Sequence, residues 1–443
     1  MTASLTVREA RRRFLVLRGL RWLPTGITMP VLVLLLLDRG LGLAQVGVAL
    51  SAQMVAVMAL ELPTGGLADA LGRRRVLLLA GGFQIAALTL LTVAGDVWLL
   101  AATFALEGVY RALESGPLDA WYVDAAQAAD PDADIEGALA TGGVVLGLAI
   151  TTGTLVSSGL VAWDPVAAVD PLVLPVLAAL VLRIVELAAI HRLVVEVRPS
   201  TTDAPAGAGR VRSAVRRTRA EALAVPSIVR DALGMVRRSR ALVALVGIEL
   251  LWGLGMIAFE VHTPARLEVV LDEPAAAAAL MGPASAAGWG ASAIAAGMAP
   301  RLTRLLGATG AGTALLAVQA AAVVGIGLAS GPLGIVSAFV GTMAAHGAAN
   351  PVHQGLLHRA VTDPGRRATV LSANSLMASV GGGIGAIGLG ALADATTIST
   401  AVLVGAAALA VAAPGYQLVR RAAAGQEPPA PPLRQAGGEI TSR

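Results

Sequence analysis

Cysteine and lysine are both missing from this chain. The first absence excludes a disulfide framework, a thiolate metal site and a cysteine nucleophile. The second means that every basic side chain apart from histidine is an arginine. Aromatic residues make up 3% of the sequence and charged residues 14%, against about 25% charged in soluble globular chains. A soluble protein of 443 residues would form roughly two or three domains, and there is too little charge here to cover their surfaces. What fills the chain instead is apolar: 56% of residues are hydrophobic, in many uninterrupted runs long enough to cross a bilayer. The sequence therefore describes a polytopic membrane protein. Its bias toward Ala, Gly, Val, Leu and Arg points to a GC-rich bacterial genome. The formal charge of +4 does not suggest a nucleic-acid partner, because the arginines sit where membrane topology wants them.

A spanning helix needs about 20 apolar residues, and helices are the sensible element because open sheets cannot satisfy their backbone in lipid. Twelve spans can be placed, at about 15–37, 45–67, 76–94, 97–121, 138–161, 171–191, 242–262, 275–297, 309–329, 333–357, 370–392 and 397–419. Arg8, Arg11, Arg12 and Arg13 precede the first in the manner of a signal peptide. The run that follows is too long and lacks a cleavage site, so a retained helix is expected. Arginines gather on one side: the N-terminal cluster, Arg73 to Arg75, the 192–240 segment, Arg301 with Arg304, Arg366 with Arg367, and Arg420 with Arg421. The opposite loops hold little beyond Arg39 and Arg266, with Asp96, Asp164, Asp170, Asp272 and Glu273. Positive charge stays inside. Both termini are expected in the cytoplasm and the protein in the bacterial cytoplasmic membrane, with the lipid bilayer as its surroundings.

Segment 193–240 splits the spans six and six. It opens rich in Pro, Gly, Ser, Thr and Ala, as a flexible piece. It then carries Val225, Ile228, Val229, Ala232, Leu233 and Val236 at helical spacing, with Arg230, Arg237 and Arg238 off that stripe, a pattern that predicts an amphipathic helix on the inner membrane face. The expected organisation is a six-helix bundle over 1–192, a cytoplasmic linker over 193–240, a second six-helix bundle over 241–421 and a disordered tail over 422–443. The halves look repeated. Glu107-Gly108-x-x-Arg111-x-x-Glu114-x-Gly116 matches His346-Gly347-x-x-Asn350-x-x-His353-x-Gly355 at a constant offset of 239. Gly65 pairs with Gly297 and Trp22 with Trp252 in corresponding spans. A duplicated six-helix unit is typical of secondary transporters.

The sharpest local pattern is Gly65-Gly66-Leu67-Ala68-Asp69-Ala70-Leu71-Gly72-Arg73-Arg74-Arg75, between spans two and three. It resembles the signature G-x-x-x-D-R-x-G-R-R of the major facilitator superfamily between those helices, with Ala70 where that family has a basic residue. A degenerate second copy runs from Gly297 to Gly307 with Arg301 and Arg304. Together with twelve spans and a central linker, the resemblance covers almost the whole chain. It implies an all-α fold of two pseudo-symmetric six-helix bundles around a central cavity, rocking between inward-open and outward-open states. It also implies a gate in which Gly65, Asp69, Gly72, Arg73 and Arg74 take part, with Asp69 facing the start of helix eleven, expected near Ser372. A positive-inside role alone would also account for the arginine run.

Span four holds Glu107, Arg111 and Glu114 at i, i+4 and i+7, hence on one face, with Asp119 beyond. A charge at that depth costs at least ~3 kcal/mol unless paired or hydrated. These groups are expected to face the cavity, as a ladder in which Arg111 exchanges partners between the two acids; a static structural ladder is the alternative. Arg111 stands roughly where the family's helix-four motif R-x-x-Q-G has its arginine, with Glu114 replacing the Gln. In proton-coupled members that arginine is tied to proton movement. Glu249 and Trp252 share a face of span seven; with His346, Asn350 and His353 of span ten they form a second polar group. The second pair of ligands for a metal is missing. Arg21 either enters the cavity or snorkels to the interface. Glu61 lies near the loop motif, and Arg183 with Glu186 reads as a structural pair. No Walker loop, zinc-hydrolase motif or dinucleotide fingerprint is present, so no cofactor, no metal and no enzyme activity is expected.

These residues and the resemblance together imply a transporter moving a small-molecule substrate, with protons as the coupling ion, acting as a monomer. The reading preferred is efflux of a small lipophilic compound, similar to the drug–proton antiporters. Two features count against it: low aromatic content, and the lack of the Gly-Pro pair that marks the family's antiporters in helix five. An importer of a small metabolite on the same fold is the first rival. A polytopic membrane enzyme or sensor is the second, and no loop holds a catalytic cluster for it.

Overall fold

The computed structural model describes residues 5–196, 234, 236–237, 239–361 and 367–424, with side chains left undescribed at 61–70, 367–368 and 423–424. The helices are α1 (Val7–Thr28), α2 (Leu32–Asp38), α3 (Leu43–Leu71), α4 (Arg73–Val93), α5 (Val97–Glu114), α6 (Pro117–Ala129), α7 (Ile135–Trp163), α8 (Val173–Leu193), α9 (Arg240–Glu260), α10 (His262–Leu271), α11 (Pro274–Leu328), α12 (Pro332–Ala360), α13 (Arg367–Ala395), α14 (Ile398–Ala412) and α15 (Gly415–Ala424). Of the amphipathic helix expected from Val225 to Arg238, Gly234, Val236 and Arg237 are described and helical; the rest of it and most of the tail lie outside the described residues.

Among the described residues, ten segments are long and apolar enough to cross a membrane. Two further spans escape that measure for physical reasons. At 55 residues, α11 would be about 80 Å long as one rod, far beyond the ~30 Å hydrocarbon core. It turns at Gly307, whose φ of 69° and ψ of 160° are non-helical, and so supplies spans eight and nine. The other, α5, carries Glu107, Arg111 and Glu114. Continued by α6, it makes span four. The twelve expected spans are thus present, and the protein is a multi-pass, all-α integral membrane protein.

Several spans are broken near prolines or glycines. Span one breaks between α1 and α2 around Pro30, span four at Gly116 (φ 95°) before Pro117, and span twelve at Ala413–Pro414. Proline cannot donate to the helical ladder, and positive φ suits glycine. Helix starts are capped by side chains. Thr6 and Glu9 form a reciprocal capping box, Asp96 accepts from the amides of Trp98 and Leu99, and Thr397 accepts from Thr400. The two arginines that the positive-inside bias left on the outer side cap helix ends. Arg39 donates to the carbonyls of Leu91 and Ala94 at 2.6 and 2.7 Å, closing α4. Arg266 donates to Ala329 O at 3.1 Å, closing α11. Each stands in the same span of its half and satisfies carbonyls that a helix end leaves open.

In the first half α1 packs on α7 and α8, α3 on α5, and α4 on α5 and α8. In the second, α9 packs on α13, α14 and α15, and α11 on α12 and α14. The halves meet along two seams, α3 against α13 and α7 against α11. Both are locked toward the end that the arginine bias assigns to the outside. The Asp394 carboxylate of α13 accepts from the amides of Leu43 and Ala44 at 2.8 and 2.9 Å, capping the start of α3 across the seam. In α7, Ser158 Oγ donates to Ala278 O at 2.9 Å and accepts from Gly282 N at 2.9 Å, both in α11.

The repeat seen in sequence recurs in packing. A Cβ on Gly108 of α5 would lie 2.6 Å from Gln53 O of α3, and one on Gly347 of α12 would lie 2.3 Å from Ser292 O of α11. Both pairs are separated by the same offset, since 347 − 108 and 292 − 53 are each 239. Only glycine permits this approach in either half.

Candidate functional site

The first half buries a network between α1, α5 and α8. Arg21 pairs with Glu114 and donates to Tyr110 Oη at 2.7 Å. Its guanidinium lies 5.3 Å from the Tyr110 ring centroid and 5.0 Å from that of Trp22. Arg183 pairs with Glu186 at 2.6 Å, donates to Thr25 Oγ1 at 2.8 Å and sits 5.1 Å from the Tyr110 ring. Glu114, Arg183 and Glu186 are all buried. Two arginines thus face two carboxylates, and the network is neutral. Toward the inner end, Arg18 pairs with the half-exposed Asp119 at 2.8 Å.

These contacts correct three expectations. Glu114 pairs with Arg21 of α1, so the expected Glu107–Arg111–Glu114 ladder is divided. Arg21 neither enters the cavity nor snorkels; it is held in a buried ion pair. Asp119 lies in an ion pair with Arg18 instead of in the cavity. Periodicity placed the three α5 charges on one side of the helix, but that side is a wedge wide enough to touch both α1 and the space between the halves.

Arg111 occupies that space. Solvent reaches it, and its guanidinium makes no hydrogen bond or ion pair among the described residues. Its electrostatic partners are Glu107, one turn away, and Glu260 at the end of α9 in the other half. Glu260 is likewise solvent-exposed. Counting ~1.5 Å per residue, Glu107 and Glu260 each lie about 16 Å from the outer ends of their spans. Glu107 and Arg111 of the first half and Glu260 of the second therefore lie within electrostatic reach of one another, with Arg183 also near Glu107, beneath the locked outer seams. Sequence reading missed Glu260 because it stands at the end of the apolar run 242–262; α10 carries that span nine residues further, to Leu271.

A second polar group fills a cavity of about 60 Å³ inside the second half, lined among others by Glu249, Trp252, His346, Asn350, His353 and Tyr416. His353 Nε2 is 3.2 Å from Glu249 Oε2, and its Nδ1 is 3.0 Å from Tyr416 Oη. The same Nε2 lies 3.4 Å from Asn374 Oδ1 of α13. Trp252 stacks on His346 at 4.8 Å and 16°, and donates to Gln319 Oε1 at 3.3 Å. The expected residues Glu249, Trp252, His346 and Asn350 thus share one pocket. Tyr416 joins them in the lining, while Gln319 and Asn374 bond Trp252 and His353 from outside it. Among the described residues no group of three or more His, Asp and Glu is placed to hold a metal ion.

Of the loop motif, Gly65, Asp69 and Glu61 belong to the stretch whose side chains are not described. Gly72 has φ 93° and caps α4. Arg73 pairs with Asp124 of α6 at 3.1 Å, while the Arg74 side chain donates to His191 O and its backbone amide donates to Glu196 Oε1 at 3.0 Å. These basic residues tie the start of α4 to α6 and to the end of α8. Helix eleven begins at Arg367, not near Ser372, so Arg367 lies in its first turn.

The family model of the Major Facilitator Superfamily matches residues 14–385. The chain belongs to this superfamily. It is accordingly a secondary transporter and not an enzyme. Among solved structures of the superfamily's fold, the nucleoside transporter NupG superposes with a TM-score of 0.75 at 12% identity, covering 93% of this chain and 99% of that one. A bacterial homologue of the human lysosomal transporter Spinster, in an inward-facing and occupied conformation, gives 0.70 at 12%, covering 95% and 98%. A bacterial homologue of the human drug peptide transporters PepT1 and PepT2 gives 0.64 at 12%, covering 95% and 98%. At such identities the likeness is one of fold. No curated protein matches the sequence.

Proposed function

We propose that this superfamily member is a proton-coupled exporter of a small lipophilic compound, working as a monomer by alternating access in a bacterial cytoplasmic membrane. The observation that carries the reading is the convergence of Glu107, Arg111 and Glu260 from both halves beneath seams locked at the outer end. One acid of the three has no matching base, which favours binding a proton or a cationic solute. The two halves are rigid bundles touching along α3–α13 and α7–α11, so rocking about those seams would expose the trio to either side while breaking the few outer hydrogen bonds. The gate at Gly65, Asp69, Gly72, Arg73 and Arg74 would act at the other end of the same seam. Import of a metabolite is the rival direction; the missing Gly-Pro pair in span five supports it.

The test is a substrate panel in proteoliposomes with an imposed pH gradient of either sense. Accumulation driven by an inward proton gradient in vesicles of known orientation gives the direction, and no gradient-dependent movement of any solute would overturn proton coupling. Topology is tested separately, with single cysteines at 5, 165, 205 and 430 in this cysteine-free chain. Only 165 is expected to label from outside intact cells, and labelling at 205 would overturn the cytoplasmic linker between residues 1–192 and 241–421.

A further inference from the structure

We propose that the pocket within the second half seats the cationic head group of the transported solute, a protonated amine or amidine of about four non-hydrogen atoms, with Glu249 as its counter-ion. This rests on the reading of the chain as a solute carrier and names the substrate class.

The first argument is charge. Glu249 is largely buried, with its side chain 14% exposed, and among the described residues no arginine pairs with it. Its polar neighbours are His353, with Nε2 3.2 Å away, and Asn374 beside that histidine. If Tyr416 donates its hydroxyl proton to His353 Nδ1 and Nε2–H donates to Asn374 Oδ1 at 3.4 Å, a neutral imidazole satisfies both ring nitrogens. The carboxylate then keeps a full negative charge inside a membrane bundle, which is costly unless a cation or a proton joins it. The first half has no such surplus, since Arg21 and Arg183 match Glu114 and Glu186.

Shape gives the second argument. A cavity of about 60 Å³ holds roughly four to six water-sized bodies, at ~10–15 Å³ each. That is the size of a guanidinium or an aminomethyl group, too small for a whole lipophilic molecule. The wall carries an aromatic pair, Trp252 on His346, suited to a flat or cationic group. Asn350, exposed at the edge of the pocket, occupies the position in α12 that Arg111 occupies in α5. The mouth therefore opens in the direction of the central cavity, where an apolar tail can lie. Among the described residues no second acid joins Glu249 in a group able to hold a metal ion, and divalent cations favour several charged oxygen ligands.

The test uses purified protein in detergent without a pH gradient, and compares hexylguanidinium with hexylurea, which matches it in shape and lacks its charge. The expected result is that hexylguanidinium binds at least ~10-fold tighter, since it alone makes charge-assisted bonds. Glu249→Gln is expected to erase that preference and Glu249→Asp to retain it, with size-exclusion profiles and unfolding midpoints showing that both variants fold. Equal binding of the two ligands, binding of neither, or a preference that survives Glu249→Gln would overturn the proposal. Loss of pH-driven transport in Glu249→Gln without any selective binding to the parent would also overturn it, and would make Glu249 a proton site. Cation binding through Glu249 with no transport in vesicles would instead overturn the carrier reading and leave the pocket standing.

Discussion

The two halves of this transporter repeat one backbone and carry opposite charge arrangements. At matching positions, α5 presents Glu114 to an arginine on span one, and α12 presents His353 to a carboxylate on span seven. The acid and the base have changed helices. The first half doubles its pair with Arg183 and Glu186 and closes as a neutral block. The second replaces arginine with histidine and leaves Glu249 without a permanent cation. The glycines that let span four approach span two, and span ten approach span eight, are the same in both. Duplication thus fixed the packing, while the buried charges diverged into a supporting network and an open site.

The largest expected effect breaks the neutral block. Arg183→Ala leaves Glu186 buried without its partner, a change that costs about 3–5 kcal/mol, and folded protein recovered from membranes should fall sharply. Glu249→Gln removes a buried charge that no arginine neutralises among the described residues, so its unfolding midpoint in detergent should equal or exceed the parent's. A fall as large as that of Arg183→Ala would erase the contrast between the halves. Next in size is non-additivity within the network. Arg21→Leu alone should destabilise by several kcal/mol, and the double variant Arg21→Leu with Glu114→Leu should recover most of it, because the uncompensated charge is gone. Two additive losses would mean that the pair is not coupled.

The repeated packing predicts equal damage in both halves. Gly108→Ala and Gly347→Ala each push a Cβ against a backbone carbonyl, and each should cost about 1–3 kcal/mol, read as matched falls in unfolding midpoint. The smallest effect concerns the outer seam. Asp394→Asn weakens the cap on α3 by about 1 kcal/mol, which shifts a two-state population roughly 5-fold. Labelling of a cysteine at Asn350 from the outside should rise by about that factor; an unchanged rate would show that Asp394 does not hold the outer end shut.

Much of the fold was legible because apolar length, proline, glycine and arginine placement are local signals. The turn at Gly307 lay in the gap expected between spans eight and nine, and the outer arginines stood out against the charge bias. The site was legible only by helix. Spacing gave the azimuth of Glu107, Arg111 and Glu114, but the partner of Glu114 is 93 positions away in sequence, and no local pattern names it. Glu260 was hidden because α10 continues its span beyond the apolar run, placing an apparent end residue deep in the protein. Asp394 carries no signal at all: its partners are two amides at the start of a helix 350 residues earlier.

The account stands most directly on the trio shared by the halves. Substrate counterflow and pH-driven uptake, measured on the same vesicles, separate movement of solute from coupling to protons. Glu260→Gln and Glu107→Gln are each expected to lose pH-driven accumulation while keeping counterflow, and Arg111→Ala to lose both. Full pH-driven accumulation in both glutamine variants would contradict a proton site between the halves.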